Sequence, residues 1–423
     1  MSVRAVVLSD LHIGDPAGMA VASGESFEPL RIRKEFLDFL DRVESMPKQD
    51  GKPLLVLAGD VWDIAIDNID EIATLSWRVF DALKPRLGSF ESILFLPGNH
   101  DHALWTLLQT QTCIIRPMDE RAQGRESKVH PLPHAQEALL DFTKGPHPEL
   151  EIPGVKPPYA GNVFLTGFTG GAIPVNVSYP NLAIRRADGT NAIVTHGQFF
   201  EQSWTLLSDL FLPSVGGLLP PGRDLASLEM LNASLTDFIN YSLAQMGPLN
   251  HVLQGIYEDF RIGREPPQLR SVLSALRTVL DQAVGSRDPF SLKERAVETV
   301  TDALIDFELF LLKIVLRTSL ANARSETILP SGRLPGILDD QDKVDKIEAY
   351  LQAVRRDRSI PTDSVSEVVF GHTHESVSGR VLSFGAAGSV TFWNPGSLVA
   401  PNGGGPDFMP LAIDHEGRVS AFV

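Results

Sequence analysis

The chain has 423 residues, of which 43% are hydrophobic and 21% charged. At about 150 residues per domain this is two or three domains' worth of ordinary globular sequence, so chain-wide disorder is excluded and no covalent staple is needed. Acidic residues outnumber basic ones 53 to 37, a net charge of -16, which weighs against a protein that grips long nucleic acid by bulk electrostatics.

The single cysteine, Cys113, leaves no intramolecular disulfide to form, and a cytoplasmic protein is expected. The first apolar run is too short for a signal peptide. Two long charge-free stretches, 157–184 and 381–406, are broken by Gly, Pro and Asn and do not read as membrane helices. The most apolar helical segment, 303–316, carries Asp306, Glu308 and Lys313, so peripheral membrane contact is the most that is expected.

In chain order, Ala5 to Leu8 reads as a strand and Pro29 to Met46 as an amphipathic helix with Phe36, Leu37, Phe39 and Leu40 on its apolar side. Leu54 to Leu57 is a second strand. Ile69 to Leu83 is helical in period, with Pro85 as its stop, and Ile93 to Leu96 is a third strand. Continuous apolar runs separated by helices predict buried parallel strands joined by crossovers. Residues 117–160, rich in Pro, Gly and charge, read mostly as loop. Two strand-like runs between Asn181 and Thr195 flank Ala187-Asp188-Gly189-Thr190, a hairpin signal.

From about 200 to 358 helical periods dominate: Leu225 to Met246, Gln268 to Val284, Ser291 to Arg324 and Asp342 to Arg356. Strand signals return at Val365. The chain therefore reads as an α/β core, residues 1–200 and 359–423, with a large, mostly helical insert at 201–358.

Five apolar runs each end in side chains that can hold a metal. The first, VVLSDLH, ends in Asp10 and His12. LLVLAGDVWD follows with Asp60 and Asp63, and ILFLPGNHD with Asn99, His100 and Asp101. AIVTHG then gives His196, and VVFGHTH gives His372 and His374. Parallel strands deliver such residues to one crevice at their carboxyl ends, and the adjacent glycines let the backbone turn there. Asp10, His12, Asp60, Asn99, His196, His372 and His374 make up the oxygen and imidazole set that two divalent cations require, and a carboxylate can bridge them. This mix suits Mn, Fe or Zn better than Mg or Ca, with Mn expected first.

As an ordered set, the blocks D-x-H, G-D-x-x-D, G-N-H-[DE], His before Gly, and G-H-x-H resemble the calcineurin-like metallophosphoesterase superfamily. The resemblance spans residues 1 to about 200 and about 360 to 423. It implies a four-layer α-β-β-α sandwich with the helical insert outside it. It also implies two metal sites, one held by Asp10, His12, Asp60 and His374, the other by Asp60, Asn99, His196 and His372, with Asp60 bridging. His100 would protonate the leaving oxygen, Asp101 would orient His100, and Asp63 would hydrogen-bond a ligand or loop. A hydroxide held by the metals would then attack phosphorus in line, without a covalent enzyme intermediate.

Ile64 and Asp101 stand where protein Ser/Thr phosphatases of the superfamily carry Arg and Glu, which disfavours that branch. The aromatic Trp62 and the Tyr179-Pro180-Asn181 lead into His196 look more like UDP-2,3-diacylglucosamine pyrophosphatases. That branch has Arg at the position of His100 and a far shorter insert. The implied partner is a phosphate-containing small molecule or a lipid-linked substrate, with a nuclease, a cyclic-nucleotide phosphodiesterase or a non-catalytic scaffold as alternatives.

The insert lies between His196 and His372, so its ends must approach the crevice, and a cap is expected. The charge-free run Phe211 to Gly222 would be its lipid-facing loop. Asn394-Pro395-Gly396-Ser397 reads as a structural turn near the site. His102 reads as a partly exposed neighbour, Cys113 as a small buried apolar residue, and His130, His134, His147, His251 and His415 as uninvolved.

Overall fold

The computed structural model describes residues 3–15, 17–21, 31–47, 51–64, 69–152, 163–201, 204–205, 207–209, 224–242, 245, 336–356, 365–384, 388–400 and 405–423. The chain divides into two compact units, Met1–Met246 with Pro335–Val423, and Gly247–Leu334, and the described residues all belong to the first. The expected helices Gln268 to Val284 and Ser291 to Arg324, the segment 303–316 and the loop Phe211 to Gly222 lie outside the described residues.

The strands are β1 (Val3–Leu8), β2 (Ala20–Val21), β3 (Arg31–Ile32), β4 (Leu54–Ala58), β5 (Ile93–Leu96), β6 (Ala138–Asp141), β7 (Leu150–Glu151), β8 (Val175–Val177), β9 (Asn181–Arg185), β10 (Asn191–Thr195), β11 (Val365–Val369), β12 (Ser376–Phe384), β13 (Gly388–Pro395), β14 (Leu411–Asp414) and β15 (Val419–Ala421). The helices are α1 (Lys34–Glu44), α2 (Ile69–Leu87), α3 (His102–Thr110), α4 (Arg116–Ala122), α5 (Val163–Phe168), α6 (Leu225–Asp237) and α7 (Gln341–Arg356). The protein is thus mixed α/β.

One sheet has the order β15-β14-β1-β4-β5-β8, the other β12-β13-β11-β10-β9-β6-β7. In the first, β1, β4, β5 and β8 are parallel neighbours, as the apolar runs predict, while β14 and β15 add an antiparallel edge. The second is mixed: β13, β11 and β10 run parallel, and β10 returns to β9 through the expected hairpin, with Asn191 opposite Arg185.

Successive strand residues point to opposite faces, and in β1, β4, β5 and β10 both faces are buried. Ala5, Val7, Val56, Leu94 and Ile413 of the first sheet share one apolar cluster with Leu140, Leu182, Ile184, Val194 and Val369 of the second. Residues of the other parity, Val6, Leu8, Leu55, Leu57 and Phe95, pack with α1, α2 and α3. Ile193, Val368 and Phe392 pack with Ile347, Tyr350, Leu351 and Val354 of α7. Helix α1 buries Phe36, Phe39, Leu40 and Val43, the i, i+3, i+4, i+7 stripe of an amphipathic helix.

Two elements differ from the sequence reading. Helix α2 runs through Pro85 to Leu87. Pro85 gives up its N–H bond and crowds the carbonyl one turn back, but burying Leu87, 1% exposed, holds the last turn. Within 117–160, read as loop, lie α4, β6 and β7. Strand β6 is four residues long, and its apolar content is too brief to stand out from the surrounding Pro and Gly. Its pairing with β9 and the full burial of Ala138 and Leu140 make it a strand. Among the described residues no helix is long and apolar enough to cross a membrane.

Phe39 is fully buried, with the rings of Phe36, Phe90, Phe408 and Phe422 at 5.7–6.4 Å. Phe39→Ala is expected to lower the free energy of urea unfolding by about 3–5 kcal/mol. A loss under about 1 kcal/mol would show that the cluster collapses freely into the space.

Candidate metal centre

All five motif segments end at the carboxyl edges of the two sheets. Asp10 and His12 follow β1, Asp60 and Asp63 follow β4, and Asn99, His100 and Asp101 follow β5. His196 follows β10, and His372 and His374 follow β11. Five of these residues hold left-handed backbone: Asp10 (φ 53°), His12 (46°), Asp60 (51°), His372 (69°) and His374 (58°). They are the non-glycine residues with positive φ among those described. Such a conformation strains an L-residue by about 1–3 kcal/mol and persists where the surroundings dictate it. Here the backbone bonds Asp10 N to Gly59 O (3.1 Å) and His12 N to Asp60 O (3.0 Å) do so, together with His372 N to both Asp10 carboxylate oxygens (3.0 and 3.1 Å).

Among the described residues, three groups have one ligand atom per residue lying within 4.8 Å of the others: two hold expected ligands, Asp10–His12–His374 and Asp60–His196–His372, and the third is His12–Asp63–His100. In the first, His374 Nε2 is 3.1 Å from His12 Nε2 and 3.4 Å from Asp10 Oδ1. In the second, His196 Nε2 is 3.1 Å from both Asp60 Oδ2 and Asn99 Oδ1. Asp60 Oδ2 also faces His12 Nε2 at 4.0 Å, so one oxygen looks into both groups. Neighbouring donors around an octahedral ion with bonds of about 2.1 Å lie about 3 Å apart, which is the spacing found in the second group.

The electrostatics suit cations. Burial pushes the Asp60 carboxyl up, but His196, His100 and His12 hold it well below its ordinary value. Asp10 is likewise lowered by His374 and His196 against its burial. Burial pushes His12 and His196 down, yet Asp63 raises the first to about 9 and Asp60 the second to about 9. Two buried carboxylates kept ionised, beside four imidazoles and an amide oxygen, form a donor set that fits two divalent ions.

Asp63 takes Nδ1 of both His12 and His100, each at 2.9 Å, one on each carboxylate oxygen. It sits well below its ordinary pKa, since these two imidazoles outweigh its burial. Asp101, expected to orient His100, instead accepts the backbone N–H groups of Gly98 (2.7 Å), Val61 (2.7 Å) and Trp62 (3.3 Å), pinning the two loops to each other. Burial and the nearby Asp60 charge push Asp101 up to about 7. The two carboxylates therefore divide the work differently from the sequence expectation: Asp63 orients, Asp101 staples.

Gly98 and Gly371 are among the glycines that close approach requires. A Cβ on Gly98 would collide with the Asp60 carboxylate and backbone, and one on Gly371 would collide with Ser9 and Asp10. The Asn394 to Ser397 turn braces the same loops: Asn394 Nδ2 donates to Gly371 O (3.0 Å) and Ser397 Oγ to Asp10 O (2.9 Å).

The structure adds partners that sequence reading missed. His102 is 1% exposed rather than a partly exposed neighbour, and Glu229 and Asp237 of α6 clamp its two nitrogens at 2.7 Å each. Glu229 also accepts from Tyr179 Oη (2.6 Å), and Asn240, just past α6, donates to Asn99 O (2.7 Å). Glu201 is buried beside His372, its Oε2 3.3 Å from Nε2, while Lys343 of α7 donates to Oε1 (2.9 Å). His372 and Lys343 overcome burial and lower Glu201 to about 2. The only sequence signal for these residues was their type. Cys113 is buried, as expected. His147 and His415 meet edge to face, ring centroids 4.3 Å apart, and neither is among the grouped donors.

No protein-family model and no curated protein matches this chain. Among solved structures it is similar to a dimetal phosphatase from Danio rerio, at 12% identity and a TM-score of 0.32, over 100% of this chain and 98% of that one. The chemistry of the site rests on its own residues.

Gly98→Ala is expected to displace Asp60 and to weaken divalent-cation binding, as read by titration of the protein with Mn; unchanged binding would remove Gly98 from the account. His102 supplies a pH test away from the donors. Burial pushes it down, but Glu229 and Asp237 raise it from 6.5 to about 10. Its stabilisation is then full below about pH 6.5 and is lost as the pH rises through about 10. The fall in unfolding free energy between pH 7 and 9.5 should be larger in the wild type than in His102→Asn; equal falls would remove His102 from the account.

Proposed function

We propose that the chain is a binuclear metal-dependent phosphoesterase that hydrolyses a phosphodiester or pyrophosphate bond. The observation that carries this reading is the convergence of Asp10, His12, Asp60, Asn99, His196, His372 and His374 at strand ends, with Asp60 Oδ2 facing both donor groups. The calcineurin-like blocks in the sequence support it. The apolar cluster common to both sheets, with helices packed on their other faces, supports the four-layer α-β-β-α arrangement that goes with those blocks.

Two divalent ions, Mn being the first choice, supply Lewis-acid stabilisation of phosphoryl charge and acidify a water when bound. The protein's own part is to place and protonate. Asp63 fixes His100 through Nδ1, so Nε2 is the nitrogen that gives its proton to the leaving oxygen. The backbone N–H of His100 donates to Asp60 Oδ1 (2.9 Å), which ties the acid to the carboxylate that the two ions would share. Asp101 keeps the loops of β4 and β5 in register.

The substrate is a phosphate-containing small molecule or a lipid-linked one, as the likeness to UDP-2,3-diacylglucosamine pyrophosphatases suggests. The net charge of -16 weighs against long nucleic acid. A cap role for the insert is supported by α6, which reaches the Asn99 loop through Asn240. The single cysteine supports a cytoplasmic setting.

Phosphorus NMR on the Mn-loaded protein, with a UDP-acyl-sugar, a simple diester, a monoester, a cyclic nucleotide and a short oligonucleotide, tests the reading. Turnover of a diester or pyrophosphate that disappears in Asp60→Asn is expected, and no turnover of any of the five sinks it. His100→Gln should lose about 10²–10⁴-fold in kcat on a substrate with an alkoxide leaving group, and much less on a nitrophenyl ester, whose leaving group needs no proton. Equal losses on both would remove His100 as the acid.

A further inference from the structure

The geometry points to Glu201 as a positioning residue that presents His372 to the second cation through Nδ1. This rests on the reading above, in which His372 holds a metal. His372 has two ring nitrogens, and they meet different surroundings. Nε2 lies 3.3 Å from Glu201 Oε2. Nδ1 is buried and, among the described residues, has no hydrogen-bond partner. Glu201 Oε2 is itself buried without a full hydrogen bond. A proton on Nε2, directed at Glu201, leaves the Nδ1 lone pair for a cation and satisfies both atoms at once.

Metal-ligating imidazoles are commonly fixed in this way, by a carboxylate that accepts from the nitrogen not bound to metal. Glu201 is placed for that work. It is 4% exposed, it follows directly on the short helical turn Gln198–Phe200 beyond His196, and its other oxygen is held by Lys343 (2.9 Å). The lysine is on α7, so the returning end of the insert braces the ring through Glu201. The converging donors of the second group are Asp60, His196 and His372. With the cation on Nδ1, Glu201 would lie at the other ring nitrogen and act on the metal through the imidazole.

The test is Mn binding to the full-length protein by isothermal titration, in the wild type, His372→Ala, Glu201→Ala and Glu201→Gln. The wild type should bind two ions and His372→Ala one. Glu201→Ala should keep the tighter ion and weaken the other about 10–100-fold, with a smaller loss in Glu201→Gln, whose amide oxygen still accepts from Nε2. In the Zn-loaded protein, nitrogen-15 NMR of labelled histidines should show His372 protonated at Nε2. Wild-type affinity in both Glu201 variants, or His372 protonated at Nδ1, overturns the role of Glu201 while leaving the two-metal reading intact. Two ions still bound in His372→Ala removes His372 as a ligand and the role of Glu201 with it, whereas a wild type that binds fewer than two ions overturns the two-metal reading itself.

Discussion

The centre depends on one buried carboxylate. Asp60 offers Oδ2 to His196 at 3.1 Å and to His12 at 4.0 Å, while Oδ1 accepts the backbone N–H of His100. His12 follows a strand of the first sheet and His196 one of the second, so this side chain is one of the places where the two sheets meet chemically. A buried carboxylate is costly unless it is paired and hydrogen-bonded. The imidazoles that crowd Asp60 meet that cost, and the same crowding is what a pair of cations would relieve. Gly98 is part of the arrangement, because any side chain there would occupy the space of the carboxylate.

Around this point the backbone is held in conformations that the chain would not choose alone. Asp10, His12, Asp60, His372 and His374 are all left-handed, and all are candidate ligands. Strain of this kind persists when neighbouring bonds over-determine it, and it pre-sets side-chain directions before any ion arrives. The hydrogen bonds responsible run between loops rather than within them: Asp10 to Gly59, His12 to Asp60, His372 to Asp10. Rigidity of the donors is therefore a property of the assembled sheet edges.

The 201–358 segment is tied to the same edge from both of its ends. Helix α6 clamps His102 between Glu229 and Asp237, and Asn240 holds the main chain of Asn99. Helix α7 reaches Glu201 through Lys343. Both helices belong to the same compact unit as the sheets. The described ends of this segment are thus structural parts of the candidate metal centre.

The candidate donors and most of the sheet skeleton were legible in the amino-acid sequence, and the structure brings those donors together. Asp10, His12, Asp60, Asn99, His196, His372 and His374 each stand beside an apolar run, often with a glycine, and such a strand-to-loop signal is local. Strands β1, β4 and β5 and the β9–β10 hairpin were legible for the same reason, since pairs close in the chain and unbroken apolar runs need no knowledge of distant contacts. Strand β6 and the last turn of α2 were not, because burial against remote residues overrides their local composition. The division of labour between Asp63 and Asp101, the clamp on His102 and the Lys343–Glu201 contact were decided only by tertiary structure. His102 meets Glu229 across 127 residues and Lys343 meets Glu201 across 142. A polar residue's role is set by what desolvates and faces it, and over such separations only the packed sheets and helices determine that.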